Sequence, residues 1–179
     1  MSHWTPIELT RDCAATTVPY GDTVTLDEGG LVGIVQRLGG SITVRTEMGT
    51  LLRIDGADAD ALGLEPATRD GLIEGPFAMG RVIDALRSIY DPEIPVSIVE
   101  LGLVYRCEEI PRSDGIRRIE IDMSMTAPGC GMGDVLRADA RRAVEAVPGV
   151  DEVEVSLVWY PPWTIERMSE AARLQLGLL

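Results

Sequence analysis

Aromatic residues and histidine are scarce in this chain of 179 residues. Phe, Trp and Tyr make up 4% of the sequence, so its core must be mainly aliphatic. His3 is the only histidine, which leaves any cysteine nucleophile without the imidazole base it commonly uses. We therefore predict that the chain is not an enzyme.

Basic residues are outnumbered, and long apolar runs are missing. Sixteen Lys and Arg face 29 Asp and Glu, for a formal net charge of −13. An acidic surface repels nucleic-acid phosphates and anionic lipid heads, so we predict neither nucleic-acid nor membrane binding. No apolar run is long enough to cross a bilayer, and the start, MSHWTPIELTRDC, does not resemble a secretory signal. These features predict a cytoplasmic protein.

Cysteine is also rare, and its spacing is irregular. Cys13, Cys107 and Cys130 contain no C-x-x-C pair, so one chain cannot supply a four-cysteine zinc or cluster site. An odd number of distant cysteines does not indicate a disulfide framework. We expect no permanently bound cofactor. Cys107 is expected to pack in a strand, on the same face as Leu103 and Tyr105.

The front of the chain reads as a small all-β unit over residues 1–60. Its strands are TVTL, LVGIVQRL, SITVRT and TLLRI, separated by glycine-containing turns. Gly39 and Gly40 predict a tight hairpin, because glycine accepts a positive φ. Residues 61–76 are predicted to be a linker, with one short helical turn around DADAL at its start.

A second unit is predicted over residues 77–179. Apolar residues from Met79 to Tyr90 recur at helical spacing, and the proline in DPEIP is expected to end that helix. ELGLVYRCEE, RRIEIDMSM and DEVEVSLV read as strands, and Met132–Val147 reads as a second helix. The order helix-strand-strand-helix-strand predicts an α+β fold, a small mixed sheet with two helices on one face. A tail helix should begin near Thr164.

The stretch TAPGCGMGDV places Cys130 on a glycine-rich turn at the start of that second helix. A helix N-terminus offers unpaired N–H groups and a positive dipole end, which favour the thiolate over the thiol. Gly129 and Gly131 leave the sulfur little steric cover. This context predicts an exposed, activated thiol, while a small buried cysteine packing the strand-to-helix corner is the alternative.

The stretch YDPEIP carries two carboxylates on either side of a proline. Asp91 and Glu93 are either a polar helix stop or a rigid pair held near the thiol. In the second case they would tune the thiol or form a weak iron site with it, since hard oxygen and soft sulfur ligands both bind iron.

Several ordered motifs in the second unit carry a family resemblance. DPEIP, LGL-Y, MT-APGC and the final YPPW resemble the iron–sulfur cluster assembly domain. That domain occurs in SufT proteins of the SUF system, in PaaD and at the front of the Mrp/ApbC cluster carriers. The front of the chain, with Q-LGGS-TV and DADALG, resembles the extra N-terminal region of SufT proteins.

The resemblance implies an auxiliary factor in the maturation of client iron–sulfur proteins. Cys130 is then the functional thiol and a transient ligand for iron or an iron–sulfur cluster. The supporting residues are expected to be Asp91, Glu93, Thr126, Gly129 and Gly131. The implied partners are assembly scaffolds or carriers and apo-protein clients. A homodimer that shares a cluster is also expected, with Met132 and Trp163 as candidates for its apolar patch.

Two other functions stay open at this point. The same thiol would serve a cysteine-based redox sensor or enzyme. The enzyme alternative is the weaker of the two, because the sequence offers no histidine base to pair with the cysteine. A thiol-independent interaction module, as in the maturation of ring-hydroxylating oxygenases, would use the cysteine turn only to shape a docking surface.

Overall fold

A computed structural model describes residues 5–66 and 75–178. It contains two compact units, one formed by residues 5–66 together with Pro92–Pro95 and the other by residues 75–91 and 96–178. Residues 67–74 of the predicted linker lie outside the described residues. No helix of the described chain is long and apolar enough to cross a membrane.

The first unit is built on one six-stranded antiparallel sheet with the order β1-β4-β5-β6-β2-β3. Its strands are β1 (Ile7–Glu8), β2 (Cys13–Val18), β3 (Thr23–Leu26), β4 (Leu31–Leu38), β5 (Ser41–Thr46) and β6 (Leu51–Asp55). The four strands predicted from the sequence are confirmed. β1 and β2 were not predicted: β1 is only two residues long, and β2 has small residues where a strong strand signal needs large apolar ones.

Turn residues place these strands as expected. Gly39 and Gly40 join β4 to β5 with φ values of 61° and 76°, a conformation that glycine adopts without strain. The predicted helical turn is a 3₁₀ segment, Gly56–Leu62, directly after β6. Cys13 on β2 is 2% exposed and belongs to the aliphatic core of this unit.

The second unit contains three helices and a three-stranded sheet with the order β7-β8-β9. Its elements are α1 (Met79–Arg87), β7 (Val104–Ile110), β8 (Arg118–Met123), α2 (Gly133–Glu145), β9 (Glu152–Leu157) and α3 (Glu170–Gln175). β7 pairs antiparallel with β8, and β8 pairs parallel with β9, so the sheet is mixed. The predicted α+β fold and its element order are confirmed.

The core of this unit lies between the sheet and the first two helices. α1 buries Val82 and Leu86, and α2 buries Leu136 and Val144. The two helices contact each other, and α2 also packs on β9. Burying a leucine side chain contributes about 1.5–3 kcal/mol, so these apolar stripes are the main reason that short helices persist here.

Helix α1 ends earlier than predicted. It stops at Arg87, four residues before Asp91, so the proline in DPEIP is not what ends it. Ile89 is buried, and Tyr90 forms a β-bridge with Ser97. The chain leaves the helix because these residues turn back to pair with the following segment.

The predicted face of Cys107 is wrong. β7 has a bulge at Tyr105, where the register shifts between Val104 opposite Met123 and Arg106 opposite Asp122. An extra residue reverses the alternation of side chains after the bulge. Cys107 therefore lies opposite Ile121, on the buried face of the sheet.

The tail after β9 lies against the loop between α1 and β7. The Trp163 indole N–H donates to the Leu101 carbonyl at 2.7 Å, and Ser169 N–H donates to the Glu100 carbonyl at 2.9 Å. A 3₁₀ turn, Ile165–Arg167, follows Thr164 as expected, but the α-helix begins only at Glu170 with Ser169 as its cap.

Candidate functional site

Strand β8, the cysteine turn, helix α2 and strand β9 form one β-α-β crossover. Because β8 and β9 run parallel, their carboxyl ends lie at the same edge of the sheet as the N-terminus of α2. Ligand sites of α/β crossovers commonly lie at this edge. Cys130, in the turn between β8 and α2, therefore lies at the carboxyl ends of both parallel strands.

The turn that carries Cys130 is closed by a backbone hydrogen bond. Gly133 N–H donates to the Cys130 carbonyl at 3.2 Å, which leads the chain into α2. Gly129 has a φ of 75°, a left-handed conformation that favours glycine, and nothing lies within 4 Å of the position of a β-carbon there. Cys130 and Gly131 are half-buried, and Gly129 is exposed. Cys130 is thus partly exposed. This excludes the alternative that it is a fully buried cysteine packing the strand-to-helix corner.

The N-terminus of α2 lacks a side-chain cap. Met132 occupies the cap position and makes no capping hydrogen bond. Asp134, which could oppose a thiolate on Cys130, pairs with Arg137 at 3.1 Å on the next turn. Its charge is therefore partly compensated, and the helix N-terminus keeps its preference for an anion.

Gly133, three residues after Cys130, packs closely against neighbouring side chains. A β-carbon on Gly133 would lie 3.1 Å from Cδ1 of Leu157 and 3.6 Å from Cγ of Met125, so this glycine brings the start of α2 close to the end of β9. Met132 is 1% exposed. The expectation that Met132 contributes to an exposed dimer patch is wrong, because its side chain is part of the core. Trp163, by contrast, remains partly exposed.

The residue after β8 is hydrogen-bonded to the residue just before β7. Ser124 is buried, and its N–H donates to the Leu103 carbonyl at 2.8 Å. Thr126 follows two residues later and is half-buried. Gly133 and Ser124 are not among the supporting residues expected from the sequence, although a glycine at the start of a strong helical pattern is a signal of close packing.

The two carboxylates of the acidic turn have different environments. Asp91 is buried, and its N–H donates to the Val96 carbonyl at 3.2 Å. Glu93 is exposed and belongs to the stretch that groups with the first unit. Within residues 5–66 and 75–178, no group of three or more His, Cys, Asp or Glu side chains is placed to hold a metal ion.

The other two thiols are poorly suited to ionise. Burial raises the pKa of Cys107 to about 11, with a smaller contribution from the charge of Glu108. Burial also raises the pKa of Cys13, and Asp58 adds to this effect. Both cysteines are expected to remain protonated at neutral pH. A protonated thiol is a poor nucleophile and a poor metal ligand.

Comparison with known proteins identifies the family. A family model described as iron-sulfur cluster assembly protein matches residues 80–157, the segment from α1 to β9 that contains the cysteine turn. A Porphyromonas gingivalis protein named Fe-S protein maturation auxiliary factor is 41% identical over 98 residues, covering 55% of this chain and 90% of that protein. The chain belongs to the iron–sulfur cluster assembly family.

Two further relatives carry related names. The Fe-S protein maturation auxiliary factor YitW of Bacillus subtilis is 37% identical over 97 residues, covering 54% of this chain and 91% of that protein. The Fe-S protein maturation auxiliary factor SufT of Staphylococcus aureus is 36% identical over 90 residues, covering 50% of this chain and 98% of that protein. These relatives therefore match about half of this chain along nearly all of their own length. The β1–β6 unit lies outside the family match.

Proposed function

We propose that this chain is an auxiliary factor in the maturation of iron–sulfur proteins, and that the Cys130 thiol binds the iron or cluster that is being delivered. The observation that carries the proposal is the position of Cys130. It is a half-buried thiol at the uncapped N-terminus of α2, inside the segment matched by the family model. The names of the three relatives support the same role.

A single thiol suits transfer better than storage. A cluster normally takes about four protein ligands, mostly thiolates. Cys13 is in the core of the first unit and Cys107 faces the covered side of β7, so Cys130 is the thiol best placed to act. The remaining ligands would come from a scaffold or carrier, from an apo-protein client or from a second copy of the chain. Iron or the cluster is then cargo, and the chain needs no resident cofactor and no catalytic base.

An interaction module that does not use the thiol is the second candidate. Trp159 and Tyr160, directly after β9, are 46% and 88% exposed. Exposed aromatic side chains are frequent anchors of protein interfaces. This module would present the same end of the sheet to partners, and the cysteine would matter only for the shape of the turn.

A maturation assay in cells separates the two candidates. A strain that lacks this protein is complemented with the wild-type chain, with Cys130→Ser or with Cys107→Ser as the matched control. The specific activity of an iron–sulfur client enzyme is then measured at equal client abundance. We expect Cys130→Ser to behave like the empty vector and Cys107→Ser to restore activity. If Cys130→Ser restores activity fully, the thiol role is wrong and the interaction module is favoured.

A further inference from the structure

Strand β9 has one edge that no strand covers. It is the last strand in the order β7-β8-β9, and no strand among the described residues lies beyond it. At its two ends, Glu152 N–H donates to the Arg117 carbonyl at 3.1 Å and Val158 N–H donates to the Met123 carbonyl at 2.8 Å. Both donors therefore point toward β8.

The alternation of a strand fixes which groups point outward. Residues 152 and 158 are six positions apart, and backbone direction alternates along a strand, so residues 154 and 156 also point their backbone groups toward β8. The backbone N–H and C=O groups of Val153, Val155 and Leu157 must point to the open edge. Such groups are strong hydrogen-bonding sites that pair readily with an added strand.

The opposite edge of the sheet is protected, whereas β9 is not. β7 has the bulge at Tyr105, which interrupts its register and discourages strand addition. β9 keeps a regular register with β8 through all six residues. The first proline after it is Pro161, so no proline interrupts the edge.

Side chains on β9 define the chemistry of a matching strand. Val153 and Val155 are buried on the helix side, whereas the side chains of Glu152 and Glu154 are 44% and 57% exposed on the other side. Arg118 on β8 pairs with Glu154, and Arg112 pairs with Glu152 at 3.0 Å, yet both glutamate side chains keep about half of their surface exposed. A matching strand would place apolar residues beside the valines and cationic residues beside the glutamates.

A second copy of β9 does not fit this edge well. Antiparallel self-pairing would bring the glutamates of both copies onto one face of the joined sheet, where like charges oppose pairing. A strand from a different protein, with Arg or Lys at alternate positions, meets opposite charges instead.

The edge ends beside the cysteine turn. Leu157 contacts the start of α2 at Gly133, three residues after Cys130, and the exposed Trp159 and Tyr160 follow directly. The following segment is held in place, since Tyr105 donates its hydroxyl hydrogen to the Pro161 carbonyl at 2.9 Å. A strand along β9 would therefore lead a partner chain to the thiol.

We propose that the outer edge of β9 binds an extended segment of a partner protein in antiparallel orientation, with apolar and cationic residues alternating along that segment. This surface goes beyond the proposed role of Cys130, because strand addition uses backbone groups and the two glutamates but not the thiol. The partner is recognised by its extended main chain and its positive charge.

The test uses the full chain and fluorescein-labelled hexapeptides of alternating arginine and valine, followed by fluorescence anisotropy at low salt. In an antiparallel pair, the valines of the peptide direct their N–H groups toward β9 and the arginines direct theirs away. N-methylation of the valines should weaken binding at least about tenfold, because it removes several backbone hydrogen bonds between the peptide and β9. N-methylation of the arginines should leave the affinity unchanged.

Matched protein variants complete the test. Glu154→Gln should weaken binding about threefold, as expected for an exposed ion pair, whereas Glu108→Gln on β7, with the same change in net charge, should not. Val155→Pro removes one outward N–H and should also weaken binding. If this variant fails to fold, the methylated peptides and Glu154→Gln still decide the outcome. Cys130→Ser should bind like the wild type, which separates this proposal from the thiol role.

Three results would overturn the proposal. Equal affinity for the peptide methylated on valine and the peptide methylated on arginine would show that the peptide forms no backbone hydrogen bonds with β9. Equal losses for Glu154→Gln and Glu108→Gln would show nonspecific attraction to an acidic protein. A dimer of the free protein that the peptide dissociates would show that a second copy, and not a partner strand, occupies the edge.

Discussion

Cys130 and Cys107 differ in what surrounds their sulfur atoms. Cys130 lies on a glycine turn at a helix N-terminus, where backbone N–H groups favour an anion. Cys107 lies on the buried face of β7, opposite Ile121, and burial raises its pKa to about 11. The two thiols are the same residue type, and their positions in the fold make their surroundings different.

The first prediction concerns thiol labelling. Iodoacetamide should modify Cys130 much faster than Cys107 at neutral pH, measured by mass spectrometry of proteolytic peptides. The rise of the Cys107 pKa from 9.0 to about 11 lowers its thiolate fraction about a hundredfold. Its labelling should therefore increase only as the pH rises toward that value. Equal, slow labelling of both cysteines in folded protein would contradict an activated thiol, and Cys130→Ser is the control that identifies the fast site.

The second prediction concerns the buried carboxylate. If Asp91 faces the thiol, Asp91→Asn removes a nearby negative charge, and iodoacetamide should label Cys130 faster at neutral pH than in the wild type. The sequence predicts the same direction for Glu93→Gln. Labelling rates equal to that of the wild type would show that neither Asp91 nor Glu93 acts on the thiol.

At the scale of elements, one glycine allows the segment after β9 to pack closely against the loop before β7. Gly102 has a φ of 71°, and a β-carbon there would lie 2.1 Å from the Arg167 carbonyl oxygen. Arg167 also places its guanidinium 3.9 Å from the centre of the Tyr105 ring. The segment that follows β9 is thus held in two ways. The backbone of Arg167 lies close to Gly102, and the Arg167 side chain stacks on the Tyr105 ring.

The third prediction tests this approach. Gly102→Ala should lower the free energy of unfolding by at least about 3 kcal/mol, because it combines an unfavourable φ with a clash against backbone. Gly115→Ala is the matched control: its φ is 79°, but nothing lies within 4 Å of the added carbon. It should cost only about 1–2 kcal/mol. Urea unfolding measures both variants, and equal losses would show that the tail does not press on Gly102.

At the scale of the whole molecule, the protein has three cysteines but only Cys130 is proposed as a ligand, which limits what one chain can bind alone. The formal net charge of −13 favours solubility over self-association, so a dimer would depend on a local apolar surface. Met132 is buried and cannot supply that surface, whereas Trp159 and Tyr160 are exposed.

The fourth prediction is that a cluster forms only when further ligands are present. Anaerobic reconstitution with iron and sulfide should give cluster absorbance on a dimer or on a complex with a carrier or client, and Cys130→Ser should abolish it. Sizing chromatography with absorbance detection measures both properties. Absorbance on a strictly monomeric species that survives Cys130→Ser would contradict the proposal.

Local sequence patterns determine several helices, strands and turns of this protein. The periods of apolar residues in α2, β8 and β9 and the glycine pair at 39–40 predict elements that the structure contains, because these signals depend on neighbours within one turn or one hairpin. The ordered motifs of the second unit, among them the one around Cys130, predict the family, which the comparisons confirm.

Tertiary structure decided the rest. The bulge at Tyr105 reverses the face of Cys107, the packing of α2 buries Met132, and the order β7-β8-β9 leaves the outer edge of β9 open. Each of these outcomes depends on which strand or helix lies beside a residue. Local periodicity shows which side chains share a face, but it does not contain the register between strands or the cover above them, since both are set by contacts between residues far apart in the chain.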